Sequence, residues 1–340
     1  GPSGRRRGAG MVNAVLRRAG RERDDLLAGL GDGDPASAAV AHSVPDWLAR
    51  LWWDELGGQG ARSMLSAIND PPERAYRVNR LRAEPDEALA ALKGAGVSAR
   101  RPDPGRPPAT ADSLVVEGGA WPVVGERVGE GSLVPQSRAS ALVVELLEPR
   151  PGERVLDLCA GPGIKATQIA AGLGGGEGLV CVEADPGRAG ELRELLARCG
   201  AGGAEVIEAD ATDPPPAGGF DAVLVDPPCS GLGTLASRPD ARWRREASGV
   251  ERMAVGAEAI LRRGIEALRP GGRLVYSTCT VSRRENEEVV GSVGGADLDD
   301  LGAELPALRS QREPRALQTR VDRDGTDGFF VARLRRQTVI

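Results

Sequence analysis

The stretch RVLDLCAGPGIKAT, residues 154–167, decides the fold class of this 340-residue chain. An apolar run, RVLDL, leads directly into a glycine-rich turn, and the residues after the turn read as the start of a helix. In a doubly wound sheet such a turn lies at the carboxyl end of a strand, where ligands bind beside a helix N-terminus. The stretch therefore predicts the first strand of an α/β sheet with a ligand site directly after it.

Further apolar runs downstream have the same character. Helical stretches separate most of them, and a helix, RASALVVELLEP, precedes the first strand. Continuous Val, Leu and Ile runs that alternate with helices are typical of a parallel, doubly wound, Rossmann-like sheet. The predicted strands are GLVCVEAD (178–185), AEVIEAD (204–210), FDAVLVD (220–226), RLVYSTC (273–279) and a final strand in DGFFVARLRR (327–336).

The residues before this sheet predict a helical segment and a small α+β lobe. Residues 11–29 have helical apolar spacing, and residues 45–57 and 61–70 read as two short helices. In the lobe we expect strands in RAYRVNRLR and SLVVEG and a helix in PDEALAALKGAG. The predicted segments are 1–45, helical with a linker; 46–130, the lobe; and 131–340, the sheet domain. The chain starts with Gly1-Pro2 rather than Met, so we expect a truncated chain.

Composition narrows the class of protein. The chain is 41% hydrophobic and 27% charged, as in ordinary soluble globular proteins. No apolar run approaches the ~18 residues of a membrane span, and no signal peptide is evident, so we expect a cytoplasmic protein. Five cysteines without a CxxC pair and a single histidine argue against zinc and against a disulfide framework. We expect no metal and a monomer.

The glycine-rich turn leaves two cofactors open. Residues 161–166 match the GxGxxA dinucleotide fingerprint, whereas a Walker loop is absent. Acidic residues end successive strands: Glu183 or Asp185, then Asp210, then Asp226. Such carboxylates suit the ribose and adenine of either S-adenosylmethionine or a nicotinamide dinucleotide, and the alternative is that they are merely solvated.

Two cysteines follow two different buried strands. Cys229 lies in VDPPCSGLG, residues 225–233, and Cys279 ends RLVYSTC. A thiolate is a strong nucleophile, and carbon 5 of cytosine becomes nucleophilic only after a group adds at carbon 6. If the two strands are neighbours, both thiols reach the same rim of the sheet. The alternative is that both are small buried hydrophobic residues.

With these stretches in order, the sequence resembles the Sun (Fmu, RsmB-type) family of S-adenosylmethionine-dependent RNA cytosine-5 methyltransferases. The resemblance implies a class I methyltransferase fold. MVNAVLRR (11–18) resembles the end of the NusB-like RNA-binding domain that precedes the catalytic part in ribosomal-RNA members. The matching stretches are PGERVLDLCAGPGIKAT (151–167), VDPPCSGLGTL (225–235), RPDARW (238–243), LRPGGRLVYSTCTVSRRENEEVV (268–290) and DGFFVARLRR.

The resemblance implies a role for each matching residue. Cys279 would attack carbon 6, Cys229 would assist proton removal and product release, and Asp226 would bind the ring near N3. Lys165 would lie near the cofactor and the target base. The residues implied to hold S-adenosylmethionine are Cys159, Ala160, Gly161, Pro162, Gly163, Ile164, Lys165, Glu183, Asp210 and Asp226.

The implied substrate is RNA, with 16S ribosomal RNA expected and transfer RNA as the nearest alternative. A non-catalytic RNA-binding assembly factor would keep the fold, and a nicotinamide oxidoreductase would use the turn but would give the two thiols no role. The chain departs from the family pattern at four sites. In the turn, Gly161 stands where the family usually has alanine and Ile164 where it usually has a second glycine, and Glu183 stands where it usually has aspartate. Upstream, PQSRAS (135–140) lacks the acid expected after Gln136.

Arginine is concentrated in SRPDARWRR, residues 237–245, which surrounds Trp243 with four arginines. Such a run is usually a solvated face. Arginines interleaved with an aromatic residue also bind RNA phosphates and stack on a base. On the second interpretation, Arg242, Arg244 and Arg245 bind RNA phosphates.

Overall fold

The structure is a computed structural model that describes residues 2–119 and 121–338. Gly1 and Ile340, where the first and last predicted segments begin and end, lie outside the described residues. The chain divides into two compact units at the bond between Asn69 and Asp70. The division predicted at residues 45/46 and 130/131 stays a prediction. None of the described helices is both long enough and apolar enough to cross a membrane.

The first unit is helical. Its helices are α1 (Pro2–Ala28), α2 (Pro35–Ala41) and α3 (Asp46–Ala67). Within α3, Gly57 has φ 70° and ψ 165°, which interrupts the helical backbone. A positive φ carries little steric cost for glycine. The two helices expected at 45–57 and 61–70 are therefore present, joined at a kink.

The second unit begins with a small antiparallel sheet and two helices. The elements are β1 (Ala75–Val78), α4 (Pro85–Gly94), β2 (Ser98–Arg100), β3 (Ser113–Glu117), α5 (Trp121–Gly129) and β4 (Leu133–Pro135). The strands lie in the order β2-β3-β1-β4. The buried apolar side chains include Val78 from β1, Leu92 from α4 and Leu114 from β3. The two predicted strands and the predicted helix are present, whereas β2, α5 and β4 were not predicted.

A larger α/β sheet follows. Its helices and strands, in chain order, are α6 (Arg138–Leu147), β5 (Val155–Asp157), α7 (Ile164–Leu173), β6 (Leu179–Glu183), α8 (Pro186–Arg198), β7 (Glu205–Glu208), β8 (Phe220–Val225), α9 (Ala247–Ala267), β9 (Leu268–Thr278), α10 (Glu287–Gly291), β10 (Ala296–Leu298), α11 (Leu301–Glu304), β11 (Leu317–Gln318), α12 (Val321–Asp324) and β12 (Phe330–Arg336). The strand order in the sheet is β10-β12-β9-β8-β5-β6-β7, and β11 pairs with β12.

The predicted doubly wound α/β fold is confirmed, with one qualification on strand direction. Strands β7, β6, β5, β8 and β9 are parallel, as expected. The tail strand β12 runs antiparallel to β9, and β10 runs antiparallel to β12, so the sheet is mixed at this edge. Apolar side chains are buried on both faces of the sheet, which explains the continuous Val, Leu and Ile runs.

The order of the strands positions the site. Strand β8 lies directly beside β9, and Val225 at the end of β8 pairs with Tyr276 of β9. Cys229 and Cys279 therefore follow neighbouring parallel strands. Parallel strands end at the same edge of a sheet, and the segments after β8 and β9 consequently meet there.

Candidate active site at the carboxyl edge of the sheet

A cavity of about 680 Å³ opens at the carboxyl edge of the larger sheet. Of the predicted site residues it is lined by Cys159, Ala160, Gly161, Pro162, Ile164, Lys165, Glu183, Asp210, Asp226, Cys229 and Cys279. The structure thus brings the predicted cofactor turn and both thiols together. Gly163 has a different place: with φ +113° it is the residue before α7, packed against Leu192.

The glycine-rich turn is tied to the end of β6. The backbone N–H of Gly161 donates to Oε2 of Glu183 at 3.0 Å, and Oε1 of Glu183 accepts from the backbone N–H of Asp185 at 3.0 Å. Asp185 itself accepts from the backbone N–H of Arg188 and begins α8 as its N-cap. Of the two acids that sequence left open at this strand, Glu183 faces the cavity.

Asp210 follows β7 and is fixed by its own turn. Its Oδ1 accepts from the backbone N–H and the hydroxyl of Thr212, both at 2.8 Å. These hydrogen bonds lower the pKa of Asp210, so the carboxylate is charged at neutral pH. Its second oxygen has no hydrogen-bond partner among the residues that the structure describes, which leaves an acceptor at the cavity wall.

Asp226, directly after β8, connects the turn to β9. Its Oδ2 accepts from Nζ of Lys165 at 2.6 Å, and its Oδ1 accepts from the hydroxyl of Ser277 at 2.8 Å. Burial lowers the pKa of Lys165, but the ion pair and hydrogen bond with Asp226, together with the nearby Cys279 and Asp157, raise it overall. The ammonium also lies 5.1 Å from the ring centre of Phe329. Lys165 is therefore a charged group inside the cavity.

The two thiols are in direct contact. Sγ of Cys229 and Sγ of Cys279 lie 3.2 Å apart, and both residues are partly exposed to the cavity. A hydrogen bond from Cys229 lowers the pKa of Cys279, with a further contribution from Lys165, against the opposing effects of burial and Asp226. The same hydrogen bond raises the pKa of Cys229. Of the two thiols, Cys279 is therefore the one that loses its proton more easily, and Cys229 is the one that retains it.

A further carboxyl group, Asp157, lines the cavity at the end of β5. Burial and the negative charge of Asp226 raise its pKa to about 7, while Lys165 opposes them. The side chain is 1% exposed. Asp157, Asp226 and Lys165 thus form one interacting set of charges.

Of the arginines in the 237–245 run, Arg242 does not fit the prediction that it binds RNA phosphates, whereas the roles of Arg244 and Arg245 stay predictions. Arg242 is only 4% exposed and donates to the backbone oxygen of Leu235, so it is not a surface group. Arg244 is exposed but forms an ion pair with Asp240 at 3.0 Å. Arg245 lines the cavity, as does Arg238, which the sequence argument did not single out. The arginines of this run that line the cavity are therefore Arg238 and Arg245.

Several residues of the site carried no recognisable signal in the sequence. Ser277, Phe329 and Arg188 are examples: the guanidinium of Arg188 donates to the backbone oxygen of Gly161. Phe329 lies in the DGFF stretch, which sequence analysis used only as a strand and as part of the family pattern. Among the described residues no group of three or more His, Cys, Asp or Glu is arranged to hold a metal ion.

The residues present fit S-adenosylmethionine. Glu183 and Asp210 place carboxylate oxygens at the ends of neighbouring strands, as the ribose and adenine of an adenosine require, with Pro227 and Ile260 as apolar walls. A known structure, that of the protein PH0851, has the same fold: it is 27% identical, with a TM-score of 0.80 over 88% of this chain and 68% of that one. The fold and the cavity define a class I methyltransferase.

Comparison of the sequence identifies the family. Residues 144–335 match the model of the 16S rRNA methyltransferase RsmB/F family, and residues 44–109 match its ferredoxin-like domain. The ribosomal RNA small subunit methyltransferase B of Pseudomonas putida is 33% identical over 96% of this chain and 73% of its own length. The probable enzyme of the same name from Bacillus subtilis is 30% identical over 97% and 74%. The chain belongs to the RsmB/F family.

Family membership confirms the resemblance seen in the sequence and the prediction of S-adenosylmethionine as cofactor. The nicotinamide oxidoreductase that the turn alone left open is thereby excluded. The chain is an S-adenosylmethionine-dependent RNA methyltransferase of the RsmB/F type.

Proposed function

We propose that this chain methylates carbon 5 of a cytosine in 16S ribosomal RNA through a covalent adduct with Cys279. The contact of 3.2 Å between the sulfur atoms of Cys229 and Cys279, inside the cofactor cavity, carries this proposal. Methylation of an exocyclic amino group requires no nucleophilic thiol. Methylation of carbon 5 requires a nucleophile at carbon 6 and a group that handles the carbon-5 proton. Ribosomal RNA is proposed because the curated relatives are named for it.

In the proposed reaction, the Cys279 thiolate adds to carbon 6, which forms a C–S bond and moves an electron pair onto carbon 5. When bound, S-adenosylmethionine supplies the electrophilic methyl group that carbon 5 takes. Once Cys279 is bonded to carbon 6, Cys229 loses its proton to solvent, and its thiolate takes the carbon-5 proton. The electron pair of the broken C–H bond re-forms the 5,6 double bond, and Cys279 leaves carbon 6 as a thiolate.

Asp226 is proposed to orient the cytosine, and Lys165 is proposed to supply a positive charge beside Cys279. Asp226 would exchange its bond with Lys165 or Ser277 for one to the cytosine ring near N3, which favours addition at carbon 6. Lys165 would keep Cys279 in its thiolate form through its positive charge. Cys159 to Lys165, Glu183 and Asp210 would hold the cofactor, with Gly163 acting by starting α7.

RNA phosphates are proposed to bind Arg238 and Arg245 at the rim. Among the described residues, neither arginine has a carboxylate oxygen within 4.0 Å, whereas Arg244 is paired. The nearby acidic groups that their charges affect are Asp327 for Arg238 and Glu285 for Arg245. Trp243 lies in the 3-10 helix Pro239–Trp243 and is 61% exposed, so it can stack on a neighbouring base.

A denaturing gel of each thiol variant, incubated with unmodified RNA and S-adenosylmethionine, tests the proposal. Cys279→Ala should abolish methyl transfer and leave no covalent complex, because carbon 5 is never activated. Cys229→Ala should permit addition but slow release, so a protein–RNA adduct that resists denaturant should accumulate. Cys181→Ala, which removes a buried thiol outside the cavity, is the matched control and should behave as wild type.

The outcomes distinguish the alternatives. An adduct in the Cys279 variant and none in the Cys229 variant would reverse the two roles. Full activity in both variants would refute the mechanism, and an absence of methyl transfer by the wild-type chain would favour the non-catalytic assembly factor. Bisulfite sequencing of 16S ribosomal RNA and of transfer RNA as substrates decides between the two RNA classes.

A further inference from the structure

Glu285, in the loop after β9, is a buried carboxylate outside the set of predicted site residues. It is 1% exposed. Its Oε1 accepts from the backbone N–H of Ser230 at 2.6 Å, and its Oε2 accepts from the hydroxyl of Ser230 at 2.6 Å. Burial raises the pKa of Glu285, while its hydrogen bonds with Ser230 lower it. Such a carboxylate needs a structural or a functional reason, since burial of an acid is costly without partners.

The hydrogen bonds join three side chains. Ser230 donates its hydroxyl proton to Glu285, and its hydroxyl oxygen lies 2.9 Å from that of Thr280, which also hydrogen-bonds to Glu285. Ser230, Thr280 and Glu285, here called the Glu285 cluster, thus form one hydrogen-bonded group around the carboxylate. The cluster joins the segment after β8 to the segment after β9.

The cluster lies one residue beyond each thiol. Ser230 directly follows Cys229, and Thr280 directly follows Cys279. A hydrogen bond between the two following residues constrains the distance between the two cysteines, which is 3.2 Å at sulfur. The charge-assisted bonds to Glu285 are the stronger members of this group. The Glu285 carboxylate thus connects the segments that carry the two thiols without a hydrogen bond to either sulfur.

The rest of the loop holds Glu285 in place. Its backbone oxygen accepts from the hydroxyl of Tyr276 at 2.6 Å. The next residue, Asn286, accepts from the hydroxyl of Thr278 at 2.5 Å and donates to the backbone oxygen of Thr280 at 3.2 Å. All of these groups are buried. The carboxylate is consequently anchored on β9 and reaches across to the segment after β8.

We propose that Glu285 is a positioning residue that sets the contact between Cys229 and Cys279 by binding Ser230 and Thr280. This inference rests on the proposed function, because it assigns the thiol contact a part in cytosine methylation. It predicts that loss of the Glu285 carboxylate separates the thiols while the cofactor side of the cavity, at Glu183 and Asp210, is unchanged.

The test compares Glu285→Gln with Glu287→Gln. Glu287 is a partly buried carboxylate two residues away that accepts from Ser310 and lies outside the cluster, so it controls for loss of a buried charge. The glutamine amide in place of Oε2 cannot accept the Ser230 proton. In Glu285→Gln we expect kcat for cytosine methylation to fall at least tenfold with KM for S-adenosylmethionine within twofold of wild type. Glu287→Gln should match wild type.

A second measurement reads the thiol contact without any RNA. Diamide oxidises two adjacent thiols to a disulfide, and mass spectrometry follows the Cys229–Cys279 link. The link should form several times more slowly in Glu285→Gln than in wild type or Glu287→Gln. Ser230→Ala should show the same defect, and the double variant should be no worse than either single one, because both changes break one hydrogen-bonded group.

These results separate the two proposals. If wild type fails to methylate cytosine, the proposed function is wrong, whatever the linking rates are. If Glu285→Gln and Ser230→Ala match Glu287→Gln in both kcat and linking rate, Glu285 has no positioning role. Should Glu285→Gln fail to fold in a thermal melt, Ser230→Ala, which leaves the carboxylate intact, decides the same question by the same two measurements.

Discussion

The backbone N–H of Gly161 donates to the carboxylate of Glu183 at the wall of the cofactor cavity. The Glu183 side chain occupies the space that a Cβ on residue 161 would need. A Cβ on residue 161 would lie 2.8 Å from Cδ of Glu183 and closer still to its Oε2. Two of the departures from the family pattern, glycine for alanine at 161 and glutamate for aspartate at 183, are therefore sterically coupled. The longer acid occupies the volume that an alanine side chain would need.

This coupling predicts the result of a double-mutant cycle. Gly161→Ala alone should weaken S-adenosylmethionine binding at least tenfold, since overpacking costs about 1–3 kcal/mol. Adding Glu183→Asp should recover most of that loss, which isothermal titration calorimetry measures. Gly190→Ala, in α8 with no atom within 4 Å of the added carbon, is the control. Additive losses in the double variant would show that the two positions are independent.

The rim arginines predict a change in the salt dependence of RNA binding. Arg238→Gln and Arg245→Gln should each reduce the slope of log K against log salt by about 0.7, because one phosphate of a single-stranded RNA is then no longer neutralised. Arg244→Gln should change the slope less, because that arginine already has Asp240 as a partner. Filter binding between low and high salt provides the slopes. Equal slopes for all three variants would indicate that the arginines of residues 237–245 form a solvated face and do not bind RNA phosphates.

The charge of Lys165 predicts a shift in the reactivity of Cys279. The ammonium lowers the pKa of Cys279, so Lys165→Met should raise that pKa. The pH midpoint of iodoacetamide alkylation at Cys279, mapped by mass spectrometry, should therefore move upward. Lys93→Met is a natural control, because Lys93 is the other lysine in this chain and lies exposed in α4. An unchanged pH midpoint would show that the charge of Lys165 has no effect on the pKa of Cys279.

Asp157 predicts a pH-dependent loss of stability. Its folded pKa of about 7 lies above the unfolded value near 3.8, so the folded state holds the proton more tightly. The proton on Asp157 therefore stabilises the folded state to its full extent below the unfolded pKa, and this stabilisation is lost as pH rises to about 7. Three pKa units correspond to about 4 kcal/mol.

Asp157→Asn lacks this titration, so its stability relative to wild type should increase between pH 4 and pH 8. Urea denaturation at several pH values measures the difference. The exposed Asp213→Asn should show no such trend. A difference between Asp157→Asn and wild type that is constant with pH would contradict the raised pKa.

The sequence was sufficient to predict features that repeat along the chain or that lie close together in it. The parallel strands follow from their apolar runs, and the glycine-rich turn follows from residues 159–165. The sequence predicted that Cys229 and Cys279 reach one rim of the sheet only on the condition that the strands before them are neighbours. In the structure the two strands are neighbours, and Sγ of Cys229 lies 3.2 Å from Sγ of Cys279.

Features that depend on distant side chains were not predictable. Glu285 reads as one more acid in the charged stretch SRRENEE, and only its contact with Ser230, 55 residues earlier, gives it meaning. Arg242 stands among arginines that look alike in sequence, yet the short 3-10 helix turns it inward. The antiparallel direction of β12 is equally invisible, because an apolar run has no direction.

The pairing of β8 with β9 also bears on how the site can work. Cys229 and Cys279 follow strands of one hydrogen-bonded ladder, and the Glu285 cluster links their segments by hydrogen bonds. Under the proposed function, a cytosine has to leave its stack and enter the cavity to reach the thiols. Unstacking is least costly for a base that is already unpaired. Selection of the target then depends on how easily each cytosine can be extracted from the RNA, as well as on its neighbours in sequence.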